Sequence, residues 1–195
     1  MSLAQQGFNT VIIDADLREP RLKQDLLAEA GPVAGLTELL SGQISLGNTL
    51  KSTAQNNLVL LPAGHTAADP AQLLDNIEFS RVLNELLRNF DRVVIDSPPV
   101  NAVSDVLLIA EYAQATLLVV QAGRTPKRVV HRAITQLHKA RARIAGFVFN
   151  RLPVRGCGAG YYYYYYGARY ARNGSQKNLK ATPAAKLTVA SVDVQ

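Results

Sequence analysis

An α/β fold built on a doubly wound, mainly parallel sheet is what this sequence predicts, and three observations predict it. Short runs of aliphatic and β-branched residues alternate with longer segments whose apolar residues recur at helical spacing. Two of the short runs, Val11-Ile12-Ile13 and Val93-Val94-Ile95, lead directly into an aspartate. At 195 residues the chain is sized for one domain with a substantial core. Strands that alternate with helices need crossover connections, so they pair in parallel with right-handed handedness. A parallel strand buried on both faces reads as a continuous apolar run, and its carboxyl end opens on the edge where such sheets bind ligands.

Taken in order, residues 2–9 read as the last turn of a helix, with Gly7 as its C-cap before the first strand. That strand ends in the acidic loop Asp14-Ala15-Asp16-Leu17-Arg18-Glu19-Pro20. Residues 21–29 predict a short helix ended by Gly31-Pro32, and Thr37 to Leu40 a second one closed by Ser41-Gly42. Asn57 to Pro62 is a brief strand stopped by proline, followed by a loop of small residues, Ala63 to Pro70, of the kind that faces a substrate. Ile77, Phe79, Val82, Leu83, Leu86, Leu87 and Phe90 make 76–90 a packing helix. After the second acidic-ended strand, Arg92 to Ser97 with Pro98-Pro99, the sequence predicts a helix over 105–113 and a strand over 116–121. A Pro-initiated helix follows over 126–142 and a strand over Gly146 to Asn150. Past Pro153 come glycines, six consecutive tyrosines, Tyr161 to Tyr166, and then Tyr170. Residues 171–195 read as disordered apart from a short strand at Leu187 to Val192. The organisation predicted is a folded domain over 1–153 and a flexible, basic Gly/Tyr-rich tail over 154–195.

The net charge of +6 is unevenly spread. Residues 1–123 carry 7 basic and 14 acidic residues; 124–150 carry 7 basic and none acidic; 151–195 carry 7 basic and one acidic. An acidic body with a basic C-terminal third, and no helix-turn-helix, zinc or RNP-like signature, reads as a solvated face or an interaction tail, with no nucleic-acid partner expected. A hydrophobic fraction of 48% is globular composition, and no apolar stretch reaches the ~20 residues of a membrane-spanning helix. The single cysteine, Cys157, excludes an internal disulfide.

Two acidic-ended strands side by side would gather Asp14, Asp16 and Asp96 at one edge. Three carboxylates repel one another unless a cation sits among them, and hard oxygen ligands near phosphate suit Mg²⁺. The plainer alternative is ordinary turn chemistry, since Asp caps loops and helix starts in any α/β protein. Asn150-Arg151 ends the last strand of the domain at the same edge, and Asn there is equally consistent with a simple turn.

The wording Ile-Asp-Ala-Asp-Leu-Arg-x-Pro at Ile13 to Pro20, followed by Ile95-Asp96-Ser97-Pro98-Pro99, resembles the second and third nucleotide motifs of the bacterial tyrosine kinases (BY-kinases). Those are deviant P-loop NTPases that govern capsular and exopolysaccharide export. Gly35 to Gly42, Leu60 to Gly64, Pro70 to Leu74 and the tyrosine cluster are similar to the family in order and spacing, so the likeness covers roughly residues 1–170. One variation is Asp69, where family members often carry Asn. The resemblance implies a P-loop NTPase type of sheet, ATP and Mg²⁺ as cofactors, and autophosphorylation. Asp16 would orient or deprotonate the attacking phenol, Asp14 and Asp96 would hold Mg²⁺, and Arg18 would be catalytic, or structural by pairing with a loop carboxylate. Asn150, with Arg151, would contact the adenine. Tyr161, Tyr162, Tyr163, Tyr164, Tyr165, Tyr166 and Tyr170 would be the phosphoacceptors. Also implied are a homo-oligomer that phosphorylates in trans, a membrane chain-length (polysaccharide co-polymerase) domain or activator as partner, and a cytoplasmic location at the inner face of the plasma membrane.

One departure is consequential: no Gly-x-x-x-x-Gly-Lys occurs in the sequence, so the loop that cradles phosphates is missing. The expectation is a chain truncated at its start and inactive alone. Loss of the strand before that loop would also leave its neighbours unpaired and the chain poorly folded. Two rival readings are a partitioning-type ATPase of the same superfamily, against which the tyrosines speak, and a non-catalytic interaction module, which the missing loop favours.

Overall fold

The computed structural model describes residues 1–27, 31–152 and 187–194. In chain order the elements are α1 Ser2–Gln5, β1 Thr10–Asp14, α2 Leu22–Leu26, α3 Leu36–Leu40, α4 Leu46–Thr49, β2 Lys51–Ser52, β3 Leu58–Leu61, α5 Pro70–Leu74, α6 Ile77–Asn89, β4 Arg92–Ser97, α7 Asp105–Tyr112, β5 Ala115–Gln121, α8 Lys127–Lys139, β6 Ile144–Asn150 and β7 Leu187–Val194. The sheet runs β2-β3-β1-β4-β7-β5-β6, with every pair parallel except the short antiparallel pair β2 and β3. From β1 the chain first builds outward to one side, through β3, and then returns to add β4, β5 and β6 on the other. That reversal between β1 and β4 is a topological switch point, and it opens a crevice outside the carboxyl ends of those two strands.

Sequence and fold agree where a local signal is strong. In α6 the Asn76 side chain accepts from the Glu78 N–H at 3.2 Å, and Phe79, Val82, Leu83 and Leu86 bury one stripe. Ile77, expected in that stripe, faces outward instead and is 66% exposed, because it precedes buried Phe79 by two positions, ~200° round the helix. Asp69 caps α5 by accepting from the Gln72 N–H at 3.2 Å, a bond that Asn would make equally well. Gly7, at φ +92°, makes the left-handed turn between α1 and β1.

The apolar interior forms two clusters. The larger joins Val11, Ile13, Leu61, Val93 and Ile95 of the strands to Leu36, Leu74, Phe79 and Leu86 of the helices. The smaller joins Leu118 and Val120 of β5 to Val106, Ala110, Ala133 and Leu137 of α7 and α8. Between these two halves runs β7, which pairs with β4 from Arg92↔Leu187 to Ser97↔Val192 and with β5 from Ala115↔Val189 to Val120↔Val194.

That placement corrects two expectations. Leu187–Val194 is a central strand rather than part of a flexible tail, and β4 and β5 are not left with unpaired edges. The physical reason is that two parallel strands facing a gap each present a row of buried N–H and C=O groups that must be satisfied, and an alternating, β-branched segment can satisfy both rows. The six consecutive tyrosines, Tyr170 and Cys157 lie outside the described residues.

Candidate functional site at the β1–β4 edge

Asp14 is the last residue of β1 and stands in register with Asp96 of β4. The ladder continues one step further, where the Ala15 N–H donates to the Asp96 carbonyl at 2.9 Å. The Asp14 carboxylate is buried, 1% exposed, and binds both ends of its own loop: Oδ1 accepts from the Asp16 N–H at 3.3 Å and Oδ2 from the Leu22 N–H at 3.1 Å. Burial pushes its pKa up from 3.8 to about 6; the Leu22 hydrogen bond opposes the rise, and the Asp96 charge adds to it. Two positions on, half-buried Asp16 closes a tighter turn, its Oδ1 accepting from the N–H groups of Arg18 at 3.2 Å and Glu19 at 3.0 Å. Both aspartates therefore do turn work, and they do it at the crevice where the sheet reverses.

Among the described residues no group of three His, Cys, Asp or Glu side chains is arranged to hold a metal ion. Of the three aspartates expected together, Asp14 and Asp96 stand in register at the strand ends, and Asp16 lies two residues on in the loop, where its carboxylate makes turn bonds and its charge also acts on Asp14. A hard divalent cation suits that pair chemically: two adjacent carboxylates, one of them raised in pKa partly by the charge of the other, would supply two oxygens and leave the rest of the shell to water or phosphate.

Arg18 is accounted for differently. Its Nε donates to Asp105 Oδ2 at 2.8 Å and its Nη2 to Asp105 Oδ1 at 3.2 Å, a bidentate pair that ties the acidic loop to the first residue of α7. Asp105 is 1% exposed, so the guanidinium neutralises a buried carboxylate. The pairing is of the kind that the structural alternative for Arg18 describes. Sequence reasoning missed Asp105, because the two partners lie 87 positions apart in the chain.

At the far end of the same edge, Asn150 is paired with Gln121 of β5, and its Oδ1 accepts from the Arg151 N–H at 2.8 Å. Both residues are exposed, and Arg151 turns the chain with φ +53°. Three strand spacings separate β4 from β6, ~14 Å across the sheet, and the ladders set Asp96 level with Gly146, so Asn150 also lies four residues, ~13 Å, further along the strand direction.

No family model matches the chain. It is 35% identical over 162 residues to a protein of Staphylococcus aureus named as the tyrosine-protein kinase CapB, covering 83% of this chain and 70% of CapB. The chain belongs to the bacterial tyrosine-protein kinases. That is a family of autokinases of capsule and exopolysaccharide synthesis, and this chain aligns to their kinase domain. The crystal structure of the VpsO kinase domain superposes with a TM-score of 0.73 at 38% identity, over 77% of this chain and 73% of that one. A structure of the septum site-determining protein MinD from Pyrococcus horikoshii, complexed with Mg-ADP, matches with a TM-score of 0.61 over 78% of this chain and 61% of that one. At 22% identity MinD speaks for the P-loop ATPase fold alone. The chain spans 70% of the length of CapB, 65% of a CpsD tyrosine-protein kinase of Streptococcus agalactiae and 21% of the tyrosine-protein kinase ptk of Acinetobacter johnsonii.

The kinase-family segments Gly35 to Gly42 and Leu60 to Gly64 interlock. Leu36 and Thr37 N–H groups donate to the carbonyls of Pro62 and Ala63 at 2.8 and 2.9 Å. Glu38 accepts from the Gly35 N–H at 2.7 Å and the His65 N–H at 3.2 Å, and meets the His65 ring at 2.9 Å. Burial raises the Glu38 pKa, but the bonds from Gly35 and His65 outweigh it and the net shift is downward. The segment ends beside the loop that carries Asp16, since the Ala67 N–H donates to the Leu17 carbonyl.

Proposed function

We propose that this chain carries the metal-binding, base-contacting and acceptor parts of a protein-tyrosine autokinase of capsule or exopolysaccharide synthesis. Supporting the reading is one observation above the others: Asp14 and Asp96 stand in register at the switch point, with Asp16 held two residues beyond in the same loop. In the reaction a tyrosine oxygen forms a bond to the γ-phosphorus of ATP, the bond to the bridging oxygen breaks, ADP leaves, and the phenolic proton passes to Asp16. A phenol of pKa near ~10 needs that acceptor at neutral pH. Mg²⁺ supplies charge neutralisation of the phosphates when bound, and Asp14 and Asp96 are the residues that hold it. Asn150 and Arg151, exposed at the far end of the edge, suit the adenine end of a nucleotide laid across it. The acceptors are Tyr161 to Tyr166 and Tyr170, reached in trans within a homo-oligomer. A membrane chain-length domain or activator is the proposed partner, with the kinase at the inner face of the plasma membrane. No described helix is long and apolar enough to cross a membrane.

The phosphate cradle is the part these residues do not supply, because the sequence has no Gly-x-x-x-x-Gly-Lys. The test joins the chain to the strand, Gly-rich loop and first helix of CapB and measures phosphotyrosine after incubation with Mg-ATP. The chain alone gives none; the fusion gives phosphotyrosine, loses it with Asp16→Asn, and loses most of it, with ATP binding intact, when the seven tyrosines become phenylalanine. A fusion that binds ATP with no phosphotyrosine supports the interaction-module alternative instead, and a phenylalanine variant that keeps all its phosphotyrosine shows that the tyrosine cluster is not the acceptor.

A further inference from the structure

We propose that the exposed cationic face of α8 is the docking surface for the tyrosine run once it is phosphorylated. The phosphates in this inference rest on the tyrosine-kinase reading; the surface does not. Helix α8 buries only Ala133 and Leu137, and turns Lys127, Arg128, His131, Arg132 and Lys139 outward along a shallow hollow of about 590 Å³. Among the described residues none of its lysines and arginines has a carboxylate partner, whereas Arg18, Arg21 and Arg81 elsewhere all do. The sequence explains why: no acidic residue occurs from Tyr112 to Val192. An occupant of this face therefore has to bring its own negative charge.

The segment following β6 meets that requirement only after modification. Residues 153–186 carry six Lys and Arg and no acid, so in the unmodified state they are repelled by α8. Each phosphotyrosine adds about −1.5 to −2 charge, and seven of them reverse the sign of the whole segment. Reach is sufficient within one chain. β6 ends at Asn150, whose carbonyl accepts from the Ala122 N–H at 2.9 Å, five positions before α8 begins. The ten positions from Arg151 to Tyr161 extend to ~35 Å, whereas α8 is ~20 Å long.

The spacing also matches. Extended, alternate tyrosines of the run point the same way every ~7 Å, and the six residues together reach ~20 Å. On α8 the residues of one row, Lys127-His131-Thr135-Lys139 or Arg128-Arg132-Gln136, recur every ~6 Å. Arg128 and Arg132 add forked donors that fit phosphate oxygens in pairs. A fixed period on both sides favours this occupant over an anionic lipid surface, which has none.

The experiment titrates the full chain into a fluorescent synthetic peptide spanning 157–170 with phosphotyrosine at 161, 163 and 165, and follows anisotropy. Because the peptide is made chemically, the outcome does not depend on whether the chain is a kinase, and loss of kinase activity would not touch it. Expected are saturable binding of the phosphopeptide, at least tenfold weaker binding of the unphosphorylated peptide, and at least tenfold weaker phosphopeptide binding by Arg128→Glu/Arg132→Glu. Both arginines are exposed, and an unchanged thermal midpoint certifies the fold of the variant. The charge-conserving Arg128→Lys/Arg132→Lys retains part of the affinity. Equal binding of the phosphopeptide by the charge-reversed variant overturns the proposal, as does a wild-type chain that binds vesicles containing phosphatidylserine through the same arginines while ignoring the phosphopeptide.

Discussion

At Asp14 the folded protein holds a proton more tightly than the unfolded chain does. The carboxyl titrates near about 6 in the fold against 3.8 outside it, so its contribution to stability is fully present below about 4 and is lost as pH rises through about 6. The loss above that range is on the order of 2–3 kcal/mol. A divalent cation beside Asp14 and Asp96 works in the opposite sense, since it favours the ionised form. Adding Mg²⁺ is therefore expected to raise the thermal midpoint at pH 8, by roughly 2–4 °C per kcal/mol of binding energy, and to leave it unchanged at pH 4.5. In Asp14→Asn the response at pH 8 disappears. Scanning fluorimetry at the two pH values checks this, and an equal response at both, or one retained in the variant, excludes the Asp14–Asp96 pair as the metal site.

Between residues and the whole fold lies the clasp of α3 with the loop after β3. A Cβ on Gly35 would lie 2.1 Å from the Pro62 carbonyl oxygen and 2.4 Å from the Gly64 nitrogen, backbone atoms that cannot step aside. Gly64 is at φ +91°, and a Cβ there would lie 2.2 Å from Glu38 Oε2. Gly42, at φ +71°, has open space around it. Urea unfolding should accordingly show Gly35→Ala and Gly64→Ala each costing more than ~2 kcal/mol, and Gly42→Ala only ~1 kcal/mol. If Gly35→Ala cost no more than Gly42→Ala, the clasp would not hold α3 in place.

These elements also show how far a sequence can be read. β1, β4, α6 and α8 were legible because each carries a complete local pattern, an apolar run or a 3.6-residue stripe, that burial then rewards. The meeting of Asp14 and Asp96 was legible for the same reason, with an aspartate at each strand end. Asp16 was less so, since whether a loop carboxylate joins the pair depends on turn bonds. Two-residue β2 and four-residue α4 have no pattern long enough to read and exist because β3 and α3 offer them partners. The Arg18–Asp105 pair joins positions 87 apart, and nothing local announces it. The strand character of Leu187 to Val192 was legible, but its neighbours were not, because pairing is a property of the whole sheet.

In the whole molecule β7 is the part that makes one sheet out of two halves. Without it β4 and β5 share no ladder. Each buried N–H or C=O left unpaired costs ~1–3 kcal/mol against ~5–15 kcal/mol for a whole domain, so a few are enough to unfold it. The 195-residue chain is expected to melt in one cooperative transition, and a chain ending at Lys186 to lose that transition and to associate through its open edges. A chain lacking 187–195 that stayed monomeric and melted at the same temperature would mean that β7 adds nothing to the sheet.

The same strand governs how quickly the molecule can form. Arg92 and Leu187, neighbours in the ladder, are 95 positions apart in the chain, and every other pair between β4 and β7 is equally remote. Contacts that distant raise the contact order and slow the search, because the entropy of a long loop is lost before any ladder bond repays it. The half built on β1, β3 and β4 and the half built on β5 and β6 each take their helices from nearby sequence. Their joining is therefore expected to be the slow step of folding, and until it happens the tyrosine-bearing connection belongs to a chain whose central strand is still unplaced.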